Sequence, residues 1–176
     1  MRFTPTVIAG AFIVDVVPHA DARGSLARVF CSEEFEAQGI DPVIAQMNLN
    51  HSRAAGTVRG LHLQQEPHAE TKLVRCVRGA VFDVVADPQP DSPTYGRWVG
   101  VELSGDNRRA LLVPAGCAHG FQTLVDDTEL LYTASRAYAP DHELGVHHAD
   151  PLFGISWPLE VSSVSEKDAA WPPLPQ

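Results

Sequence analysis

Two short stretches decide the fold: residues 59–64 (RGLHLQ) and residues 72–75 (KLVR). Apolar residues alternate with polar or charged residues in the first stretch, and this period of two predicts a β-strand. A regular strand would place Arg59 on one face and His62 on the other. A strand that carries arginine, histidine and a following lysine is poorly suited to a hydrophobic core. It is well suited to the wall of a pocket that receives an anion.

Similar runs of β-branched and aromatic residues recur along the chain, separated by turns rich in Gly, Pro, Asn and Asp. Many short strands with such turns predict an all-β sandwich or barrel. The predicted strands are FIVDVV (12–17), ARVF (27–30), QMNLNHS (46–52), KLVRCVRGAVFDVVAD (72–87), RWVGVEL (97–103), RALLVP (109–114), GFQTLV (120–125) and ELLYTA (129–134).

Helices are predicted at only two places. SEEFEAQG (32–39) has Ser32 as a candidate N-cap and Gly39 just past its end, and SEKDAA (165–170) forms a second short helix. We find no linker or internal repeat, so residues 1–176 are predicted to form one domain. The proline-rich residues 170–176 are predicted to be an extended tail.

Composition and charge exclude several classes of protein. A chain of 176 residues is long enough to bury a core without disulfides. The net charge of −9 argues against nonspecific binding to nucleic acid or to an anionic membrane surface. The first apolar run, VIAGAFIVDVV (7–17), is interrupted by Asp15 and is too short to span a membrane. The cysteines, Cys31, Cys76 and Cys117, form no CxxC pair, which suits reduced thiols and predicts a cytoplasmic protein.

Polar side chains alternate along QMNLNHS, where Gln46, Asn48 and Asn50 share one face. Such a face is often simply exposed to solvent. The strands that carry His119 and Tyr132 show similar polar interruptions, however. Polar faces that converge from several strands predict the lined mouth of a barrel.

A metal site is the first chemistry to consider, because a β-helix metal site uses two histidines one residue apart, a carboxylate and a later histidine. His119 could be the later histidine, but Gln64 stands where the second histidine is needed. His68 and Glu70 could substitute, but both lie in the loop EPHAE (66–70), and the adjacent His147 and His148 would face opposite sides of a strand. The sequence therefore predicts that no metal is bound.

Acid–base chemistry fits the residues better. Histidine titrates near neutral pH, so His62 is a candidate general base, with Asp83 or Asp168 as the carboxylate that orients it. Lys72 could stabilise an oxyanion, and Tyr132 could act as an acid on the opposite side of a substrate. A base, an oxyanion stabiliser and an acid together predict epimerisation through an enolate, without a cofactor.

The ordered motifs RGLH, KLVR, PAGCAHGF, GISWP and SEKD resemble those of the dTDP-4-dehydrorhamnose 3,5-epimerase family. The resemblance extends from about Asp21 to Asp168. It implies a cupin-like double-stranded β-helix, or jelly roll, with a few short peripheral helices. It also implies a homodimer that acts on a nucleotide-linked 4-keto-6-deoxyhexose without a metal.

The resemblance also implies roles for individual residues. His62 matches the base, Asp168 its carboxylate partner, Lys72 the lysine near the C4 oxygen and Tyr132 the proton donor. Further positions match residues that contact nucleotide or sugar: Gln46, Asn48, Arg59, His119, Glu143 and Lys167, together with Tyr138 near thymine, Arg28 at a thymine-contacting position and Arg23, which could reach the nucleotide across a dimer.

Several residues depart from the family pattern: Ser25, Leu26, Arg28, Asn50, Pro88, Gln89 and Cys117. These departures leave open which nucleotide base and which sugar are bound. A single-centre epimerase or a ketoisomerase of a deoxysugar pathway remains an alternative. A non-catalytic or metal-binding cupin is a third hypothesis.

Overall fold

A computed structural model describes residues 1–174, which contain thirteen strands and two α-helices. The strands are β1 (Arg2–Pro5), β2 (Phe12–Asp15), β3 (His19–Asp21), β4 (Gly24–Leu26), β5 (Gln46–Ser52), β6 (Val58–Gln64), β7 (Lys72–Arg78), β8 (Ala80–Ala86), β9 (Trp98–Ser104), β10 (Ala110–Val113), β11 (Ala118–Thr123), β12 (Thr128–Ala134) and β13 (Glu143–Gly145). The helices are α1 (Ser32–Glu36), α2 (Glu166–Ala169) and a 3-10 turn at Pro140–His142.

Two antiparallel sheets form the body of the protein. One has the order β1-β2-β10-β7-β12-β5 and the other the order β13-β6-β11-β8-β9. Apart from the β8–β9 hairpin, successive strands from β5 to β12 alternate between the two sheets. This pairing is the double-stranded β-helix of the cupin type, so the predicted all-β jelly roll with short peripheral helices is confirmed.

The core lies between the sheets. Buried apolar side chains from both sheets meet there, for example Val74 and Leu130 from one and Val81 and Leu103 from the other. A second cluster covers the outer face of the five-stranded sheet, where Phe153 packs on Leu61 and its neighbours. The inner faces of the two sheets also carry polar residues, which line a cavity that borders this core.

The strand predicted at residues 27–30 does not form. Phe30 instead packs against Phe35 of α1, with ring centroids 4.9 Å apart. The segment is short, and its aromatic side chain is partly buried in an apolar cluster with Phe35 instead of lying on a sheet edge. The N-cap of α1 is also not Ser32 as predicted but Cys31, which makes no side-chain capping bond.

The second helix forms as predicted. Its N-cap is Ser165, whose hydroxyl accepts a hydrogen bond from the backbone N–H of Asp168 at 3.0 Å. The next residues are irregular but packed: the indole of Trp171 occupies the space where a Cβ on Gly145 would lie, and Leu174 N donates to Asp150. Of the predicted tail, residues 175–176 lie outside the described part of the chain.

Within residues 1–174, no helix is both long enough and apolar enough to cross a membrane.

Candidate active site

A cavity of about 460 Å³ opens between the two sheets, and Val74, Phe121 and Leu130 of the apolar core form part of its wall. Both sheets and the segment around α2 contribute to its wall. The lining residues are Asn50, Thr57, Val58, Arg59, His62, Lys72, Val74, His119, Phe121, Leu130, Tyr132, Ser163, Val164, Ser165, Lys167 and Asp168. The predicted convergence of polar strand faces is confirmed.

A histidine–aspartate pair stands in this wall. His62 Nε2 on β6 lies 2.6 Å from Asp168 Oδ1 on α2, and the backbone N–H of Gly60 donates to Asp168 Oδ2 at 3.1 Å. Burial opposes ionisation of Asp168, but the bonds from His62, Gly60 and Ser165 outweigh it and lower the pKa of Asp168. Because a carboxylate only accepts, Nε2 is the donor and Nδ1 is the basic nitrogen of His62.

A second pair lies beside the first. His119 on β11 is the cross-strand partner of His62, and its Nε2 lies 2.8 Å from Oδ1 of Asp83 on β8. Asp83 is fully buried, and this burial raises its pKa against the opposing effects of His119 and Lys72. Of the two carboxylates that the sequence offered to His62, the structure therefore gives Asp168 to His62 and Asp83 to His119.

Lys72 and Tyr132 reach the cavity from the opposite sheet. Lys72 begins β7, and its Nζ lies 2.9 Å from Glu70 Oε1 and 3.3 Å from the carbonyl oxygen of His62. Tyr132 lies on the neighbouring strand β12, and burial, with a smaller contribution from Glu70, raises its pKa and keeps the phenol protonated. His62 and Tyr132 thus come from opposing sheets, which places an imidazole and a phenol on two sides of the cavity.

A smaller cavity of about 120 Å³ adjoins the first and shares His62, Lys72 and Tyr132 with it. Its wall also holds Gln46 and Asn48 of β5, as well as Tyr138 and Glu143. The structure therefore brings these four predicted substrate-binding residues to the same region as the predicted catalytic residues.

Hydrogen bonds organise the outer part of this smaller cavity. Glu143 Oε2 accepts from the phenol of Tyr138 at 2.6 Å and from Lys167 Nζ at 2.5 Å. Burial opposes ionisation of Glu143, but these two bonds lower its pKa, and the same bonds raise the pKa of Tyr138 and of Lys167. Gln46 Oε1 accepts from the backbone N–H of Tyr138.

Arg59 corrects the prediction from strand alternation. A regular strand would direct it away from His62, yet both residues line the same cavity. Gly60 adopts a positive φ of 105°, and the pairing of β11 with β6 shifts register between His119 and Phe121. A bulge of this kind redirects side chains. Arg59 Nε then donates to Ser52 Oγ at 3.1 Å.

Two predicted nucleotide contacts lie elsewhere. Arg23 occupies the turn between β3 and β4, where its side chain is 90% exposed and paired with Asp21. Arg28 pairs with Glu34 of α1. Neither arginine lines either cavity of this chain. Among the departures from the family pattern, Asn50 lines the main cavity.

The sequence reasoning missed Glu70 and gave Gln64 no positive role. Glu70 was set aside because it lies in the loop before β7, yet only 7% of it is exposed and it contacts Lys72 directly. One signal in the sequence could have found it: Glu70 lies two residues before Lys72, the spacing at which side chains of a strand share a face.

No cluster of three or more His, Cys, Asp and Glu side chains suited to a metal ion occurs within residues 1–174. Gln64, at the position where a metal-binding cupin has a ligand, uses its amide in hydrogen bonds to Glu70 and to the backbone of His68 and Ala139.

Comparisons of the sequence and of the structure with known proteins point to the same family. The sequence profile of the family described as dTDP-4-dehydrorhamnose 3,5-epimerase matches residues 5–176. A dTDP-4-dehydrorhamnose 3,5-epimerase of Sinorhizobium fredii is 45% identical over 175 residues, which cover 99% of this chain and 90% of the relative.

Solved structures agree. The dTDP-4-dehydrorhamnose 3,5-epimerase of Bacillus anthracis, with TDP and PPi bound, superposes with a TM-score of 0.93 at 39% identity, covering 98% of this chain and 99% of the other. ChmJ, a 3'-monoepimerase from Streptomyces bikiniensis in complex with dTDP-quinovose, superposes with a TM-score of 0.89 at 38% identity, covering 97% and 86%.

Proposed function

Since the chain belongs to the dTDP-4-dehydrorhamnose 3,5-epimerase family of isomerases, we propose that it inverts C3 and C5 of a dTDP-linked 4-keto-6-deoxyhexose. The observation that carries this proposal is the placement of His62, held by Asp168, and Tyr132 on opposing sheets around one cavity. Inversion at a carbon requires that a proton leave one face and return to the other.

Nδ1 of His62 removes the proton on the carbon next to the C4 ketone, and the C–H electron pair moves into the carbonyl to form an enolate. Asp168 holds the imidazole and stabilises the imidazolium that results. The ammonium of Lys72 lies beside the developing oxyanion and stabilises it. Tyr132 donates a proton to the opposite face, and solvent restores the starting protonation states. No step needs a metal or a redox cofactor.

The remaining polar residues of the cavities hold the substrate. Arg59 and His119 line the main cavity near the His62–Asp168 pair and suit the diphosphate, since guanidinium and imidazole groups bind phosphate oxygens. Gln46, Asn48, Glu143 and Lys167 offer donors and acceptors to the sugar hydroxyls. Tyr138, with a largely exposed ring, suits stacking on the nucleobase. The relatives with TDP or a dTDP-sugar bound support a thymine nucleotide.

A single-centre epimerase is the second candidate. The similarity to ChmJ, a 3'-monoepimerase, supports this candidate. One base and one acid serve either one or two inversions, so the same residues fit both candidates. The two candidates differ in which α-proton His62 reaches once the sugar is bound.

The two candidates are separated by proton NMR of dTDP-4-keto-6-deoxyglucose incubated with the enzyme in deuterated buffer, with and without a chelator. Deuterium at both C3 and C5, unaffected by chelator, supports the double epimerase. Deuterium at one carbon supports the monoepimerase. Absence of exchange contradicts both, and loss of exchange with chelator contradicts the metal-free mechanism.

We further propose that the protein is a cytoplasmic homodimer. On the outer face of the six-stranded sheet, Met47 and Leu49 are 58% and 64% exposed, and Leu131 pairs with Leu49 and Arg75 on neighbouring strands. A strip of exposed apolar side chains of this kind suits an interface with a second copy.

A further inference from the structure

A buried carboxylate lies behind the lysine of the site. Glu70 is 7% exposed, and its two oxygens accept from different donors: Oε1 from Lys72 Nζ at 2.9 Å and Oε2 from Gln64 Nε2 at 2.7 Å. Glu70 lines the smaller cavity together with both of these residues. It is therefore not a surface charge that happens to meet a lysine.

The orientation of the Gln64 amide is fixed by its surroundings. The backbone N–H of Ala139 donates to Gln64 Oε1 at 2.6 Å, so the oxygen must point there. Nε2 is then directed at Glu70 and at the carbonyl oxygen of His68, 2.9 Å away. Since Gln64 presents a donor to Glu70 and Lys72 is a donor only, Glu70 must accept at both ends.

These bonds also reach the segment that carries Tyr138. Gln64 contacts the carbonyl oxygen of Ala137 at 3.3 Å and the N–H of Ala139 at 2.6 Å, on either side of Tyr138. One buried amide thus links the loop at the outer wall of the smaller cavity to the carboxylate that holds Lys72.

We propose that Glu70 is a positioning residue for Lys72: it holds the ammonium at the place where the enolate oxygen forms, and Gln64 fixes Glu70 in turn. This inference rests on the proposed function. The lysine ammonium stands on a flexible stem of four carbons and samples many rotamers unless hydrogen bonds hold the ammonium in place. In this site the ammonium of Lys72 donates to the Glu70 carboxylate and to the backbone carbonyl of His62.

Only a carboxylate meets the requirement. A glutamine at position 70 has one oxygen and one NH₂ group, so it would direct a donor at either Lys72 or Gln64. Glu70→Gln therefore keeps the size of the side chain and removes the fixed placement of Nζ. Misplacement of a catalytic group by about 1 Å lowers a rate by up to about 100-fold. We expect kcat to fall about 10- to 100-fold with KM changed by less than about 3-fold, because Lys72 acts on the enolate and not on the bound ketone.

A double-mutant cycle tests whether Glu70 acts through Lys72. The wild-type protein, Glu70→Gln, Lys72→Ala and the double variant are compared by the rate of deuterium exchange into the sugar. If Glu70 acts through Lys72, Glu70→Gln lowers the rate by less than about 2-fold in the Lys72→Ala background. Losses that multiply in the double variant overturn the inference. Glu66→Gln, on an exposed residue of the same loop, is the matched control and keeps the wild-type rate.

A crystal structure of Glu70→Gln tests the same inference without any substrate. Displacement of Lys72 Nζ by more than about 1 Å, with the fold unchanged, supports the positioning role. An ammonium that stays beside the His62 carbonyl contradicts it. Lack of exchange by the wild-type protein contradicts the proposed function instead, and the crystal structure still decides the role of Glu70.

Discussion

His62 Nε2 lies 2.6 Å from Asp168 Oδ1, although 106 residues separate the two in the sequence. The contact depends on the four-residue helix α2, which is capped by Ser165 and oriented by a bond from Gly60 N–H to the Asp168 carboxylate. This arrangement fixes the tautomer of His62 and leaves Nδ1 available for the proposed role of base. The proposed mechanism follows from this one relationship.

Asp168→Asn should lower kcat by about 10²- to 10⁴-fold, the range by which positioned acid–base groups accelerate reactions. The amide has one oxygen for two donors, His62 Nε2–H and Gly60 N–H, so the imidazole loses its fixed tautomer. The rate of epimer formation measures the effect. Glu166→Gln, on an exposed acid of the same helix, is the control; equal rates for the two variants would remove Asp168 from the mechanism.

Tyr132→Phe should separate exchange from inversion. The variant keeps His62 and Lys72, so proton removal continues and deuterium enters the sugar, but the donor on the opposite face is lost. We expect epimer formation to fall by about 10²-fold or more while exchange with retention falls less. NMR of the recovered sugar reports both quantities. Parallel loss of exchange and inversion would contradict the assignment of Tyr132 as donor.

Asp83→Asn should stabilise the protein more as the pH rises. Burial raises the pKa of Asp83 above its ordinary value. The contribution of Asp83 to stability is therefore fully present below the unfolded pKa of about 4 and is lost as the pH rises through the folded pKa. The Tm difference between Asp83→Asn and wild type should grow over this window and then level off. A Tm difference that is constant or shrinks as the pH rises would contradict the raised pKa of Asp83. Asp91→Asn, at an exposed position, is the control and should show no such pH dependence.

Strand alternation and turn motifs place residues locally, so the sequence predicted several residues that line the cavity, and the family resemblance added others such as Glu143 and Lys167. His62, Lys72, His119 and Tyr132 were found from alternation and charge alone. The face assigned to Arg59 was wrong, because a bulge at Gly60 breaks the period of two and no local pattern signals its direction.

Other features depend on distant contacts. Sequence could not choose between Asp83 and Asp168 as the partner of His62, because the choice depends on which strand and helix lie beside β6. Glu70 was missed for a related reason: a loop carboxylate is usually solvated, and only the packing of Gln64 and Lys72 around it shows its burial.

Leu49→Glu should weaken the proposed dimer. Leu49 is 64% exposed in the apolar strip on the six-stranded sheet, and a charge there would be buried against the partner in the proposed dimer. Light scattering should shift from the dimer mass toward the monomer mass at low protein concentration. Val125→Glu, on another exposed apolar residue outside the strip, is the control. A wild-type protein that is monomeric would contradict the proposed interface.

The most direct test of the proposed mechanism is deuterium exchange into dTDP-4-keto-6-deoxyglucose by His62→Ala, measured by proton NMR. His68→Ala is the matched control, since this histidine stacks on His142 outside both cavities. We expect His62→Ala to exchange no faster than a protein-free sample, while His68→Ala matches wild type. Exchange by His62→Ala at the rate of the control would contradict the assignment of His62 as the base.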